Sequence, residues 1–180
     1  MQKDCFEHHP RRSELNDTDR KQVVIYCDGC SIPNPGRTGA GIVIPSVIEI
    51  GRYLGEGSNQ TAELYAMREA LLRAHPGDLI LSDSMYAVNL IIGRWRPKAH
   101  KELVSELRKL LRPGVAVKWV SGHAGDKWQE RADALAKRAA IKRISFENVF
   151  SAGVVDALAV NRPEGNSAPI TVNSAGGECV

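Results

Sequence analysis

The chain has 180 residues and a net charge of +3, and 43% of its residues are hydrophobic while 25% are charged. This composition is too apolar for general disorder and too polar for a membrane protein, and no apolar run is long enough to span a membrane. The first twenty residues lack the apolar segment of a secretory signal, and the four cysteines do not form a disulfide pattern. We therefore expect one domain with terminal tails in a reducing, cytoplasmic environment.

Charge is distributed unevenly along the chain. Residues 21–144 carry 19 basic and 12 acidic side chains, whereas residues 1–20 and 145–180 are each net acidic. A basic core with acidic tails suggests an anionic partner such as a nucleic acid. Taken alone, this excess is explained equally well as ordinary solubility charge.

The first half of the chain predicts three strands and a helix. Residues 1–20 are rich in charge and have no periodicity, which predicts a disordered leader. Three apolar, β-branched runs separated by turn residues, at 23–27, 40–45 and 47–54, predict an antiparallel meander. Apolar residues then recur at helical spacing over 61–74, and a His-Pro-Gly sequence follows.

The second half alternates between strands and helices. The apolar pattern predicts strands over 79–81 and 115–120 and helices over 84–92, 100–111 and 126–142. The pattern disappears after residue 144, so we predict a largely flexible extension over 145–180. Residues 21–144 are thus predicted to form one α/β domain. Its five-stranded mixed sheet, an antiparallel meander plus two parallel strands, is flanked by helices.

Four carboxylates occupy positions where a free charge is unusual. Asp28 ends the first strand, Glu63 lies in the first turn of the first helix, Asp83 ends the fourth strand, and Asp133 lies inside the last helix. Strand ends of an open α/β sheet converge on one crevice, and a hard cation such as Mg²⁺ would offset the repulsion there. Any single one has an ordinary explanation, such as Asp83 capping a helix, but this explanation is weak for all four.

Four ordered segments resemble the motifs of type 1 ribonucleases H. They lie at 25–29 with 34–36 and 39–41, at 59–63, at 81–86, and at 119–125 with 130–136. A lone Asp-Gly pair carries no information, but four motifs in order across 21–144 are highly specific. The resemblance implies a ribonuclease H-like fold.

The resemblance also implies a chemistry. It implies that His123 is a mobile catalytic histidine and that the metal ligands are Asp28, Glu63, Asp83 and Asp133. The family hydrolyses the RNA strand of RNA–DNA hybrids with two Mg²⁺ ions, for which Mn²⁺ can substitute, and leaves 5′-phosphate and 3′-hydroxyl ends. One ion would activate water and the other would stabilise the leaving oxygen, with Asp28 bridging both. Without its flanking motif, His123 would be interpreted as a loop histidine that forms a hydrogen bond with the backbone.

Substrate-binding positions follow from the same resemblance. Asn34, Asn59 and Gln60 match substrate-contact positions of the family, although Gln60 stands where asparagine is usual. Their amides carry donors and acceptors that suit 2′-hydroxyl groups and minor-groove edges. Roles as a turn residue for Asn34 and a helix cap for Asn59 are compatible with binding.

Two departures from the family concern substrate binding. Met85 stands where many relatives have glutamine, and the interval from Asp83 to Asp133 is too short for the basic handle of bacterial members. Arg94, Trp95 and Arg96 are candidates to supply part of the missing substrate binding. The two arginines would bind phosphates, and the indole would pack on a sugar or base. A solvated helix end with the tryptophan in the core is an equally good explanation.

The expected partner is therefore an RNA–DNA hybrid, with no membrane and no obligate protein partner, and the expected state is a monomer. The Cys27–Cys30 pair has the spacing of a redox or zinc motif, but without further ligands nearby we expect two reduced thiols. A non-catalytic hybrid-binding protein on the same fold is the alternative function. The complete carboxylate set argues against it, because a binder gains nothing from four like charges facing phosphates.

Overall fold

Six strands and four helices follow one another in the computed structural model, which describes residues 20–122 and 125–150. The elements are, in chain order, β1 (Val24–Ile32), β2 (Gly36–Ile44), β3 (Ile48–Gly57), α1 (Asn59–Arg73), β4 (Leu79–Ser82), α2 (Met85–Ile91), α3 (Lys101–Leu110), β5 (Ala116–Trp119), α4 (Lys127–Lys142) and β6 (Phe146–Val149). All nine predicted elements are present, with shifted ends. None of the described helices is long and apolar enough to cross a membrane.

The strands form one mixed sheet in the order β5-β4-β1-β2-β3-β6. The β1–β2 and β2–β3 pairs are antiparallel, as expected for the meander, and β4 and β5 join parallel to β1 and to each other. The predicted fold class is therefore confirmed. The predicted count of five strands is wrong by one, because β6 pairs antiparallel with β3 at the far edge.

The sixth strand lies within 145–180, the segment predicted as an extension. Its four residues include the buried Glu147, so the sequence shows no apolar run there. The strand forms because β3 offers a free edge and because arginines of neighbouring elements bind the Glu147 carboxylate. Residues 1–19 and 151–180 lie outside the described residues, so the rest of the predicted leader and extension stays a prediction.

The helices cover both faces of the sheet. The larger core packs α1, α2 and α3 against one face, with fully buried side chains such as Ile25, Leu64 and Leu107. The other face packs against α4, where Tyr26 and Leu135 belong to a smaller core. Alternation along β1 thus sends Ile25 and Cys27 to the large core and Tyr26 to the α4 side.

Two glycines allow helices to approach the sheet closely. A Cβ at Gly29 would lie 2.3 Å from the backbone of Ala62 and Glu63, so its absence admits the start of α1 against β1. A Cβ at Gly41 would lie 1.9 Å from the carbonyl oxygen of Ala132, so its absence admits α4 against β2. Both approaches bring acidic residues of the helices to the middle of β1, where Asp28 lies inside the strand and not at its end as predicted.

Candidate active site

Three of the four predicted carboxylates meet at the centre of the sheet. Parallel pairing aligns Tyr26 of β1 with Leu81 of β4, so that two residues further on Asp28 and Asp83 lie side by side. Glu63 reaches the same point from the first turns of α1. One carboxylate oxygen from each of Asp28, Glu63 and Asp83 lies within 4.8 Å of the others.

Asp83 is free for this cluster because it does not cap a helix. The N-cap of α2 is Ser84, whose hydroxyl accepts a hydrogen bond from the Ala87 backbone N–H at 3.2 Å. The explanation of Asp83 as a cap is therefore wrong, and its carboxylate faces the cluster instead.

Asp133 lines the same cleft but is differently bound. The cleft has a volume of about 320 Å³, and its walls include all four carboxylates. The Lys137 ammonium group, one turn further along α4, lies 2.7 Å from Asp133 Oδ2. Asp133 therefore lies beside the three-carboxylate cluster with its charge already matched.

The cluster is electrostatically strained. Burial raises the pKa of Asp28 well above its usual range, and the nearby Glu63 and Asp83 raise it further. Burial and then Asp83 raise the pKa of Glu63, although the Gly29 backbone N–H, 3.2 Å from Glu63 Oε2, opposes this. Among the described residues no ion pair involves Asp28, Glu63 or Asp83. Buried like charges without a counterion are costly, and a bound cation removes that cost.

Two side chains hold Asp83, and the sequence analysis assigned this role to neither, although Trp119 belongs to the motif at 119–125. The Gln129 amide donates to Asp83 Oδ1 at 3.1 Å, and the Trp119 indole N–H donates to the Asp83 backbone oxygen at 2.9 Å. Gly122 packs closely beside them, since a Cβ there would lie 2.6 Å from Asp83 Oδ2. The one available signal for Gln129 was its position one helical turn before Asp133.

The predicted amide residues join the first turn of the meander to α1. Asn34 Oδ1 accepts from the Asn59 backbone N–H at 3.0 Å, and Asn59 Oδ1 accepts from the Ser31 backbone N–H at 2.9 Å. Asn59 lines the cleft, whereas Gln60 is exposed at the start of α1. The N-cap of α1 is Ser58, not Asn59.

The basic segment lies apart from the cleft. Arg94, Trp95 and Arg96 follow α2, are exposed, and do not line the acidic cleft. The Trp95 indole is 44% exposed, so the explanation that places it in the core is wrong. The Arg108 guanidinium donates to the backbone oxygens of Leu90 and Trp95, which holds the segment in place.

The remaining predicted residues have separate outcomes. His123 lies outside the described residues, and its neighbour Gly122 lies against Asp83. Cys27 and Cys30 are buried free thiols. Burial, followed by the neighbouring carboxylates, raises the pKa of both, so both thiols stay protonated near neutral pH.

The chain is similar to known proteins over most of the described residues. A family model described as RNase H matches residues 20–141. The Ribonuclease H of Syntrophomonas wolfei is 36% identical over 141 residues, which cover 66% of this chain and 96% of that protein. The Ribonuclease H of Paracidovorax citrulli is 37% identical over 144 residues, covering 68% and 97%.

Two solved structures share the fold. RNase H1 from Halobacterium salinarum superposes with a TM-score of 0.60 at 28% identity, covering 69% of this chain and 100% of that one. LC11-RNase H1, crystallised in complex with RNA/DNA hybrid, superposes with a TM-score of 0.59 at 25% identity, covering 68% and 99%. Because the family match spans more than half of the chain and the relatives align over nearly their whole length, the chain belongs to the ribonuclease H family and is a ribonuclease H enzyme.

Proposed function

We propose that this enzyme is a Mg²⁺-dependent endonuclease that hydrolyses the RNA strand of RNA–DNA hybrids and leaves 5′-phosphate and 3′-hydroxyl ends. The observation that carries the proposal is the group formed by the buried Asp28 and the partly buried Glu63 and Asp83, whose carboxylate oxygens lie within 4.8 Å of one another and which have no ion-pair partner among the described residues. The hybrid bound to LC11-RNase H1 supports the choice of substrate.

The donor set fits Mg²⁺. Every side chain of the cluster offers carboxylate oxygen, the ligand that hard divalent cations prefer. Softer ligands are absent from the cluster, and the raised pKa of the nearby Cys27 and Cys30 keeps both thiols protonated. Asp28, whose neighbours include Glu63, Asp83 and Asp133, is the residue that we propose would contact both ions.

Two Mg²⁺ ions, when bound, supply an activated water and stabilise the charge on the leaving oxygen. The chain provides the negative charges that hold them, with Asp28, Glu63 and Asp83 on one side and Asp133 on the other. Lys137 matches the charge of Asp133, and a cation bound at Asp133 would take over that role. His123, which follows Gly122, is assigned to carry a proton or to assist product release.

The amide residues supply hydrogen-bond donors for the RNA strand. The oxygens of Asn34 and Asn59 already accept from backbone N–H groups, so their side-chain nitrogens remain to donate to 2′-hydroxyl groups. Gln60 is exposed beside them and offers both a donor and an acceptor. Arg94, Trp95 and Arg96 are proposed to bind the flanking phosphates and sugars.

We propose that the enzyme acts as a monomer in the cytoplasm. The four carboxylates predicted to bind metal all come from one chain, so the site needs no partner to complete it. The two buried free thiols beside the site suit a reducing compartment.

The test is cleavage of a labelled RNA–DNA hybrid beside matched duplex RNA and duplex DNA, with Mg²⁺, with Mn²⁺ and with EDTA. We expect cleavage of the RNA strand of the hybrid alone, abolished by EDTA, with internal products whose 3′ ends a polymerase extends. Hybrid binding without cleavage in every cation would support the alternative of a non-catalytic binder. Cleavage that persists in EDTA would contradict the metal-dependent mechanism.

A further inference from the structure

Gln129 is a buried polar residue at the centre of the site. It lies on α4, its side chain is 3% exposed, and it lines the acidic cleft. Its Nε2 donates to Asp83 Oδ1 at 3.1 Å and to the Cys27 backbone oxygen at 3.3 Å. One amide thus connects α4 with β1 and with the end of β4.

The orientation of this amide follows from its neighbours. Both partners, a carboxylate and a backbone carbonyl, only accept hydrogen bonds, so the NH₂ group must face them. The oxygen Oε1 is then left buried, and it has no hydrogen-bond partner among the described residues. A buried polar atom without a partner is uncommon and requires an explanation.

Packing does not explain a glutamine here. The buried side chains that follow on α4, Ala132, Leu135 and Ala136, are all apolar, and an apolar residue at 129 would leave no orphaned oxygen. Charge does explain it. A lysine beside Asp83 would form an ion pair, as Lys137 does with Asp133, and would compete with a cation. A neutral donor holds the carboxylate without neutralising it.

We propose that Gln129 is a positioning residue of the metal site, which holds Asp83 through Oδ1 and leaves Oδ2 for the cation. This inference rests on the proposed function.

The test is the Gln129→Met variant, which keeps the length of the side chain and removes both hydrogen-bonding groups. Loss of a residue that orients a metal ligand costs about 10–100-fold in metal affinity or activity. We expect kcat to fall by about tenfold or more and half-saturation by Mg²⁺ to rise by about tenfold. The Michaelis constant for the hybrid should change by less than about threefold, because the phosphate and 2′-hydroxyl contacts are intact. Titration calorimetry with Mg²⁺ alone, without hybrid, should show the same loss of affinity.

Gln22→Met is the matched control. Gln22 also donates its side-chain amide to a backbone oxygen, that of Gly77, but at the opposite end of β1. This variant should match the wild type in Mg²⁺ affinity and in kcat.

The outcomes separate this inference from the proposed function. Absence of Mg²⁺-dependent cleavage in the wild type would overturn the proposed function. An active wild type, with Gln129→Met equal to it in Mg²⁺ affinity and kcat, would overturn the role of Gln129 alone. Should the methionine variant not fold, Gln129→Asn replaces it. The shorter amide cannot reach both acceptors, so Mg²⁺ half-saturation should rise by about threefold or more, and an unchanged value would also overturn the inference.

Discussion

Two regions of this enzyme bury carboxylates to the same extent and treat them in opposite ways. Asp28, in the acidic cleft, and Glu147, at the far edge of the sheet, are both 6% exposed. Glu147 belongs to an edge ion-pair cluster made of Arg52, Glu69, Arg73 and Glu147, in which α1, β3 and β6 meet. Asp28 forms no ion pair among the described residues, and carboxylate oxygens of Glu63 and Asp83 lie within 4.8 Å of its own.

The difference lies in the partners and not in burial. In the edge ion-pair cluster, Arg73 lies 2.9 Å from Glu69 and 3.4 Å from Glu147, and Arg52 also pairs with both glutamates. Each negative charge therefore has a guanidinium beside it, and the cluster joins β6 to the rest of the fold. In the cleft, the described residues supply an ion-pair partner for Asp133 but none for Asp28, Glu63 or Asp83. Buried carboxylates with internal partners stabilise the fold, whereas those without them mark the site of chemistry.

Removing one charge from the cleft should have the largest effect. We expect Asp28→Asn to lower cleavage of the hybrid by at least about 1,000-fold, because the residue that we propose contacts both ions would lose its charge. Hybrid binding, measured by anisotropy, should persist because the Lys and Arg contacts are untouched. Without metal near pH 8 the variant should unfold at a higher temperature than the wild type, since a repulsive charge is gone. Near wild-type turnover would contradict the four-carboxylate site.

The same repulsion predicts an unusual pH dependence without Mg²⁺. The pKa of Asp28 is raised to about 9 and that of Glu63 to about 8, above their unfolded values of about 4. The stability from these groups is therefore complete below about pH 4 and is lost as the pH rises toward 8–9.

We expect the stability of Asp28→Asn relative to the wild type to increase from pH 5 to pH 9, by on the order of 3 kcal/mol. Subtracting the free energies of unfolding of the two proteins at each pH cancels the contributions of all other titrating groups. Saturating Mg²⁺ should abolish the trend in this difference, because a bound cation stabilises the ionised wild-type site. A difference that is constant with pH would show that the cleft carboxylates do not repel one another as the geometry indicates.

Neutralising one carboxylate of the edge ion-pair cluster should lower stability and leave turnover unchanged. Glu147→Gln removes the carboxylate that Arg52 and Arg73 share, and we expect the free energy of unfolding to fall by about 3 kcal/mol. Turnover at 25 °C should remain within about twofold of the wild type, because β6 lies at the far edge of the sheet from β4. Urea denaturation and steady-state kinetics on one preparation measure both. A catalytic loss as large as that of Asp28→Asn would remove the distinction between the two regions.

A third buried carboxylate, Asp78, allows a test of whether Arg20 belongs to the predicted leader or to the folded domain. Asp78 is fully buried and binds Arg20 in a two-bonded ion pair, with nitrogen–oxygen distances of 2.9 and 3.1 Å. Deletion of residues 1–19 should leave stability and activity intact. Extending the deletion to residue 20, or changing Arg20 to Ala, should lower stability by about 1–2 kcal/mol, since the arginine is partly exposed. Equal thermal stability of the two truncated proteins would show that Arg20 contributes nothing.

The smallest effect is expected at the exposed basic segment. Neither Arg94 nor Arg96 has an ion-pair partner among the described residues, and both are solvated. Replacing both with Ala should raise the Michaelis constant for the hybrid a few-fold and flatten its salt dependence, because fewer phosphates release counterions. Turnover at saturating hybrid should change less. A double variant whose Michaelis constant equals that of the wild type at two salt concentrations would show that this segment does not contact the substrate.

Much of the site could be predicted because two of its carboxylates directly follow apolar runs in the sequence. Asp28 follows an apolar run, and Asp83 follows another, so a parallel sheet brings them together. The ligand supports were not predictable in this way. Gln129, Trp119 and Lys137 contact acidic residues through distances and angles that no local pattern encodes, and only packing of α4 and β5 places them.

The sequence by itself determined the order of strands and helices, the mixed sheet and the family, since these follow from apolar periodicity and ordered motifs within short windows. Only the tertiary structure decided which buried charges are matched. Arg52 and Glu147 are separated by 95 residues, and both the sixth strand and its ion pairs exist because the edge of β3 is free to receive it. Pairing across such separations depends on how the elements pack in space, which short-range residue patterns do not record.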